Sequence, residues 1–128
     1  MSKRGLNFLE THKIIPIILV ILIASTIFYL SNKSYPVGPA TPDFWKAKLY
    51  HASIFFLLTF FLLAVIKQGK LKPVHLLFAL VLSFLYACLD ELHQFFIPFR
   101  HSTFNDVMID SIGIMFAVFF YTLLSYQE

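Results

Sequence analysis

The chain has 128 residues, of which 59% are hydrophobic and only 13% are charged, and its net charge is +3. Soluble domains carry about 25% charged residues, so this composition argues against a soluble enzyme or a disordered regulator. The single cysteine, Cys88, excludes an intrachain disulfide. The basic residues are scattered between apolar blocks, which indicates membrane topology rather than a nucleic-acid partner.

The apolar residues form four blocks that approach the ~20 residues needed to cross a bilayer. A soluble bundle helix would need a polar face, and these blocks offer almost none. We therefore predict an all-α membrane protein with four transmembrane helices in an antiparallel bundle, forming a single domain over residues 1–128. The predicted helices cover about residues 14–31, 49–66, 74–97 and 104–124.

The lysine and arginine residues predict the orientation of this bundle. Six of them precede the first helix or lie in the second loop, whereas four lie in the first and third loops and their flanks. The positive-inside rule then places both termini in the cytoplasm. We expect a multi-pass protein of the cell membrane, with most of its carboxylates on the outer side.

Polar residues recur at helical spacing near the predicted outer ends of all four helices. These stripes contain Ser25, Tyr29 and Asn32 on the first helix, Lys48 and His51 on the second, Tyr86, Asp90, His93 and Gln94 on the third, with Glu91 one flank away, and Asp106, Asp110, Gly113 and Ala117 on the fourth. Ionisable residues inside a membrane face a bundle interior or a water-filled cavity, so we expect the stripes to meet. Gly113 and Ala117 match the small-xxx-small spacing that lets two helices approach closely.

The residue types permit several chemistries without selecting one. Carboxylates and imidazoles bind divalent metals, and the candidate metal ligands are His51, Asp90, His93 and Asp110. A hydrolase could use Glu91 or Asp110 as its base, with the Arg100 guanidinium stabilising a phosphate. The chain contains neither the HExxH nor the GxSxG signature. The cofactor therefore stays open, with a divalent metal as the one candidate.

Several of these residues also have a plainer interpretation. Lys48 can extend its ammonium to the membrane interface, and His51 can be a satisfied interfacial histidine. Asp106 can simply complement the dipole at a helix start. Asp110 is harder to explain in this way. It lies one turn inside the apolar block, so its burial requires a partner or a proton.

The segment between the third and fourth helices resembles the signature of the VanZ-like family. The matching residues are Asp90-Glu91-Leu92-His93-Gln94, then Pro98-Phe99-Arg100, Ser102, Asp106, Asp110 and Gly113, and upstream Lys48-x-x-His51. The resemblance covers about residues 12–126. It implies a small four-helix membrane protein, associated through the founding member with resistance to the lipoglycopeptide teicoplanin. It implies no established reaction.

Together these features predict an outward-opening polar pocket that binds a lipid headgroup, a cell-envelope intermediate or an amphiphilic glycopeptide. Its candidate binding residues are Lys48, His51, Tyr86, Asp90, Glu91, His93, Gln94, Arg100, Ser102, Asp106 and Asp110. One alternative is a metal-assisted membrane enzyme acting on a phospholipid or a cell-wall precursor. The other is a non-catalytic scaffold whose polar residues only join helices. The expected partners are membrane lipids and, in a homo-oligomer, further copies of the chain.

Overall fold

The computed structural model describes residues 3–33, 44–98 and 104–126, and all regular structure in these residues is α-helical. The helices are α1 (Lys3–Thr11), α2 (Ile14–Ser31), α3 (Phe44–Ile66), α4 (Pro73–Phe95) and α5 (Phe104–Ser125). Four of them, α2 to α5, are long and apolar enough to cross a membrane. The prediction of four membrane spans is therefore confirmed.

The helices differ from the predicted ones by more than two residues in two places. α1 was not predicted, because its nine residues contain no long apolar run. α3 begins at Phe44, five residues before the apolar block at 49. An apolar block marks only the part of a helix that fits the hydrocarbon core, whereas the helix itself continues into the interface. Between α3 and α4, Gly69 adopts a positive φ of 65°, a conformation that glycine tolerates at little cost.

The bundle turns most of its large apolar side chains outward. Only 17% to 39% of the most apolar part of each span is buried inside the protein. Ile21 on α2 and Phe116 on α5, for example, are 59% and 63% exposed. A soluble protein would not leave such a continuous apolar surface uncovered. The surface fits a hydrocarbon environment, as expected for a multi-pass membrane protein.

The protein core consists of two apolar clusters between the spans. One cluster packs Phe60, Leu63 and Ala64 of α3 against Tyr121 of α5 and Leu6 of α1. The other contains residues from four helices, namely Ile27, Phe55, Leu58, Ala87 and Ile114. These clusters fix the rotation of each helix, and thereby decide which polar side chains face one another.

α3 and α5 approach each other closely at Gly113. A Cβ atom at this position would lie 2.9 Å from the carbonyl carbon and 3.1 Å from the Cα of Ala52, and closer still to the Ala52 oxygen. Ala117, one turn further along α5, is fully buried. The close helix approach predicted from the small-xxx-small spacing is therefore confirmed.

Polar contacts between helices gather at the two ends of the bundle. The last turns of α2 and α4 and the first turns of α3 and α5 form one end, which we call the Asp90 end. α1 and the turns of α3 and α5 that it contacts form the other, which we call the Glu10 end.

Candidate functional site

The seam between α3 and α5 carries two charged contacts at the Asp90 end. Lys48 Nζ forms an ion pair with Asp106 Oδ1. One turn further along, His51 Nδ1 lies 3.1 Å from Asp110 Oδ1. Lys48 and His51 are three residues apart and Asp106 and Asp110 four apart, so each pair of side chains lies on one helix face. The helix period therefore sets the two contacts one above the other.

Burial separates the two contacts. The side chains of Lys48 and Asp106 are 15% and 14% exposed, whereas the Asp110 side chain is only 1% exposed. A carboxylate with so little access to water must find hydrogen-bond donors or a counter-charge inside the protein. Among the described residues, His51 is the side chain that provides a hydrogen-bond donor to Asp110. The seam thus runs from an ion pair that reaches the surface to a histidine–carboxylate pair that does not.

A second polar group lies between α2 and α4, around Asp90. Ser31 Oγ donates a hydrogen bond to Asp90 Oδ1, and Gln94 Nε2 donates to Asp90 Oδ2 over 2.6 Å. Asp90 is 7% exposed and Gln94 is 2% exposed. Both carboxylate oxygens are therefore occupied by neutral donors, which suits an acceptor-only carboxylate.

His93 completes the α2–α4 group through Asn32. The Asn32 amide nitrogen donates to the Phe28 carbonyl over 2.7 Å, which turns its Oδ1 towards His93 Nε2 at 3.1 Å. Nε2 is then the donor, and a neutral ring keeps Nδ1 as an acceptor. The His93 ring also stacks on Phe28, with a centroid distance of 5.0 Å.

The two polar groups are neighbours. Asp90 lies close enough to His51 and to Asp110 for its charge to interact with both. All these contacts come from the same end of the bundle. The carboxylates of α4 and α5 and the His51 imidazole of α3 therefore interact electrostatically in one region rather than being spread around the bundle.

The remaining predicted site residues lie in different surroundings. Tyr86 donates from its hydroxyl to the Ala24 carbonyl over 2.7 Å, so it ties α4 to α2 about one turn below Asp90. Glu91 is buried, with 8% exposure. Arg100 and Ser102 lie outside the described residues, so their predicted part in ligand binding stays a prediction.

The four candidate metal ligands do not form one cluster. His51 pairs with Asp110 on the α3–α5 seam, whereas Asp90 and His93 have polar partners on α2. Across the described ranges, no group of three His, Cys, Asp or Glu residues is arranged to hold a metal ion. Each of the four side chains instead has a hydrogen-bonding partner outside its own helix.

Ser31 is the member of the Asp90 end that the sequence prediction missed. The predicted α2 stripe of Ser25, Tyr29 and Asn32 lies on an exposed face, from which Asn32 contacts His93. The buried face instead contains Ile27 and Ser31, which are 2% and 3% exposed. Their i, i+4 spacing was a usable signal, because an apolar residue one turn earlier marks the same helix face.

The Glu10 end holds a second set of buried charges. Glu10 Oε1 accepts a hydrogen bond from the Tyr121 hydroxyl over 2.6 Å, and Glu10 Oε2 lies 2.9 Å from Lys67 Nζ. The Lys67 side chain is only 1% exposed. The sequence prediction used Lys67 only as a marker of topology and gave Glu10 no partner. These contacts attach α1 to both α3 and α5.

Lys13 caps the C-terminal end of α3 next to the Glu10–Lys67 ion pair. Its Nζ donates to the carbonyl oxygens of Ala64 at 2.6 Å and Val65 at 3.2 Å, and also to that of Lys67. The last carbonyls of a helix lack intrahelical partners, so a cation here also complements the helix dipole. Burial lowers the pKa of the Lys13 ammonium, Glu10 opposes that shift, and Lys67 adds to it.

Comparison with known proteins gives one match. A family model described as VanZ/LLP1 matches residues 14–125, which include all four spans and both polar groups of the Asp90 end. Neither the curated proteins nor the solved structures contain a match to the chain.

Proposed function

The chain belongs to the VanZ-like family, and we propose that it binds the polar part of a membrane amphiphile at its Asp90 end. The proposed ligand is a lipid headgroup, a cell-envelope intermediate or an amphiphilic glycopeptide. In this proposal successive helices are antiparallel, both termini are cytoplasmic and the Asp90 end faces the outside of the cell membrane. Through such binding the protein would contribute to resistance against teicoplanin, as the family resemblance implies.

The observation that carries this proposal is the position of the charges. Asp90 and Asp110 are 7% and 1% exposed inside helices whose outer faces are hydrocarbon. Charged groups in a span cost several kcal/mol and mark functional sites more often than structural ones. The Lys48–Asp106 pair lies one turn from Asp110 along α5 and is more exposed, with side-chain exposures of 15% and 14%. This arrangement supplies acceptors and a cation where a headgroup at the interface can contact them.

Lipid retention tests the binding directly. Native mass spectrometry of the protein from vesicles containing phosphatidylethanolamine, phosphatidylglycerol and cardiolipin should show one retained headgroup class. Asp110→Asn should abolish this preference, because it removes the buried charge and keeps the side-chain shape. Glu10→Gln is the matched control at the other end and should retain the preference. Equal retention of all three lipids by the wild type would refute the proposal.

A complementation assay tests the resistance role separately. A teicoplanin-sensitive host would express the wild type, Asp90→Asn, Arg100→Ala or Asp110→Asn at equal levels. We expect only the wild type to raise the teicoplanin concentration that the host tolerates. Full protection by Asp90→Asn and Asp110→Asn would favour the scaffold alternative, in which an amide still makes the interhelical hydrogen bond.

The His51–Asp110 pair also supports a second candidate function, that of a membrane enzyme. A histidine held at Nδ1 by a carboxylate can accept a proton at Nε2. A phospholipid or cell-wall precursor near Lys48 would then be the substrate. Turnover of a polyprenyl phosphate that His51→Gln abolishes would establish this alternative. Binding without turnover would leave the amphiphile-binding proposal in place.

A further inference from the structure

A groove of about 420 Å³ opens beside the α3–α5 seam, one turn below His51 and Asp110. Its floor is the close contact of Ala52 with Gly113, and its walls are Phe56 and Phe116. The groove exists because two small residues bring the backbones together and leave no side chain to fill the space between the aromatic walls. Phe116 is 63% exposed, so the groove faces the surrounding hydrocarbon.

We propose that this groove holds one acyl chain of a membrane aminophospholipid, whose ammonium group contacts the Asp106 carboxylate, the more exposed one of the α3–α5 seam. This inference rests on the proposed function and names the ligand class of that site. It also gives the route of entry: the lipid arrives laterally from the bilayer, between α3 and α5, rather than through the aqueous loops.

The size of the groove favours an acyl chain over a second protein helix. A helix is about 10 Å across and rises about 5.4 Å per turn, so a single turn fills roughly 400 Å³. The groove therefore offers the volume of about one turn, whereas a helix of a second copy would need a matching surface along its whole length. A flexible hydrocarbon chain can occupy a short, apolar groove of this volume.

The charges above the groove favour an ammonium headgroup. The buried and half-buried ionisable side chains described within the spans at this end are Asp90, Glu91, Asp106, Asp110, Lys48, His51 and His93. Carboxylates outnumber permanent cations there by four to one. A carboxylate is an acceptor with several lone pairs, and a primary ammonium has three donors. Phosphatidylethanolamine supplies these donors, whereas the quaternary ammonium of phosphatidylcholine does not.

The distance between groove and charges suits a lipid. Lys48 precedes Ala52 by four residues and Asp106 precedes Gly113 by seven, which places the ion pair roughly 6–10 Å along the helix axes from the groove floor. A headgroup at the ion pair therefore places the first methylene groups of its acyl chain at Ala52 and Gly113. Polar and apolar parts of one molecule would then meet matching parts of the seam.

Tryptophan quenching tests the groove. Trp45 is the only tryptophan of the chain, so Trp45→Phe provides a tryptophan-free background. In it, Phe116→Trp places a reporter on the groove wall. Phe84→Trp, on the 45% exposed Phe84 of α4, is the matched control outside the groove. Both proteins are reconstituted in vesicles of dibrominated phosphatidylcholine, with increasing amounts of one unlabelled dioleoyl lipid: phosphatidylethanolamine, phosphatidylcholine or phosphatidylglycerol.

We expect phosphatidylethanolamine to relieve quenching at Phe116→Trp at least threefold more effectively than phosphatidylcholine, and the two lipids to act alike at Phe84→Trp. Adding Ser53→Phe, which fills the groove, should abolish the difference. Ser25→Phe, at an exposed serine of α2, should retain it. Equal relief by both lipids at Phe116→Trp, or an unchanged difference after Ser53→Phe, would overturn the inference.

The quenching experiment and the native mass spectrometry together distinguish the failure of this inference from the failure of the proposed function. If native mass spectrometry shows a headgroup preference that Asp110→Asn removes, but quenching at Phe116→Trp shows none, the headgroup site stands and the acyl groove is wrong. If neither measurement shows a preference, both proposals fail. Stronger relief by dioleoyl phosphatidylglycerol than by phosphatidylethanolamine would overturn the ammonium assignment.

Discussion

Asp110 and His51 form a buried pair across the α3–α5 seam, with 3.1 Å between Asp110 Oδ1 and His51 Nδ1. The Asp110 side chain is 1% exposed and that of His51 is 11% exposed. The contact joins two helices that are far apart in the chain. It lies one turn from the point where Gly113 touches Ala52, so close backbone packing and the polar contact reinforce each other.

The first prediction separates the hydrogen bond of this pair from its charge. Asp110→Asn keeps an acceptor for His51, so the free energy of unfolding should change by less than about 1 kcal/mol, in the range of interhelical hydrogen bonds in membranes. Asp110→Leu leaves a buried imidazole donor without its acceptor and should cost about 1–3 kcal/mol. Unfolding in mixed detergent micelles measures both values. Equal destabilisation by the two variants would show that the charge itself holds the helices together.

Much of this arrangement follows from residue spacing. The four apolar blocks predict the spans because hydrocarbon burial dictates their length. The i, i+4 spacing of Asp106 and Asp110 places both on the α5 face that carries Gly113, and the structure has this face against α3. Spacing within one helix determines such a face directly, so these features could be predicted without knowing the partner helix.

Other features depend on which helices become neighbours, and spacing does not contain that information. The polar residues divide into an α3–α5 group and an α2–α4 group because the apolar clusters set the helix rotations. Ser31 joins Asp90 only through this packing. α1 is too short to be stable alone and depends on contacts such as that of Glu10 with Tyr121. A polar nine-residue segment gives no hydropathy signal for such a helix.

The second prediction concerns the helix approach at Gly113. Gly113→Ala would bring its new Cβ within 2.9 Å of the Ala52 carbonyl carbon, so α3 and α5 must separate. Overpacking of this kind costs about 1–3 kcal/mol. We expect a lower unfolding temperature in detergent and weaker binding at the adjacent seam. Ser111→Ala is the matched control on the same helix, because it removes only a hydrogen bond to the Val107 carbonyl. An unfolding temperature for Gly113→Ala equal to that of Ser111→Ala would contradict the observed packing.

The third prediction concerns the Lys48–Asp106 ion pair. Lys48→Asp places two carboxylates side by side, and Asp106→Lys places two ammonium groups there, so each single variant should lose about 1 kcal/mol of stability. The double variant restores an ion pair of reversed direction and should recover at least half of the summed loss. Thermal unfolding at low and at high salt measures this coupling. Additive losses in the double variant would mean that the two side chains do not interact.

The fourth prediction concerns the Glu10 end, where Lys67 Nζ lies 2.9 Å from Glu10 Oε2. Lys67→Met removes the ammonium and leaves the Glu10 carboxylate with a weaker set of donors, among them the Tyr121 hydroxyl. Loss of a hydrogen bond to a charged group costs about 1.5–3 kcal/mol, so stability should fall by this amount. The damage should concentrate on α1, because Glu10 is its anchor to α3 and α5.

Hydrogen–deuterium exchange checks where that damage falls. In Lys67→Met, amides of α1 should exchange at least tenfold faster, while the Asp90 end keeps its protection and its lipid preference. Lys70→Met, at an exposed lysine three residues further along the chain, is the matched control and should leave α1 unchanged. Unchanged exchange in α1 of Lys67→Met would show that apolar packing of Leu6, which is 1% exposed, holds the helix without the ion pair.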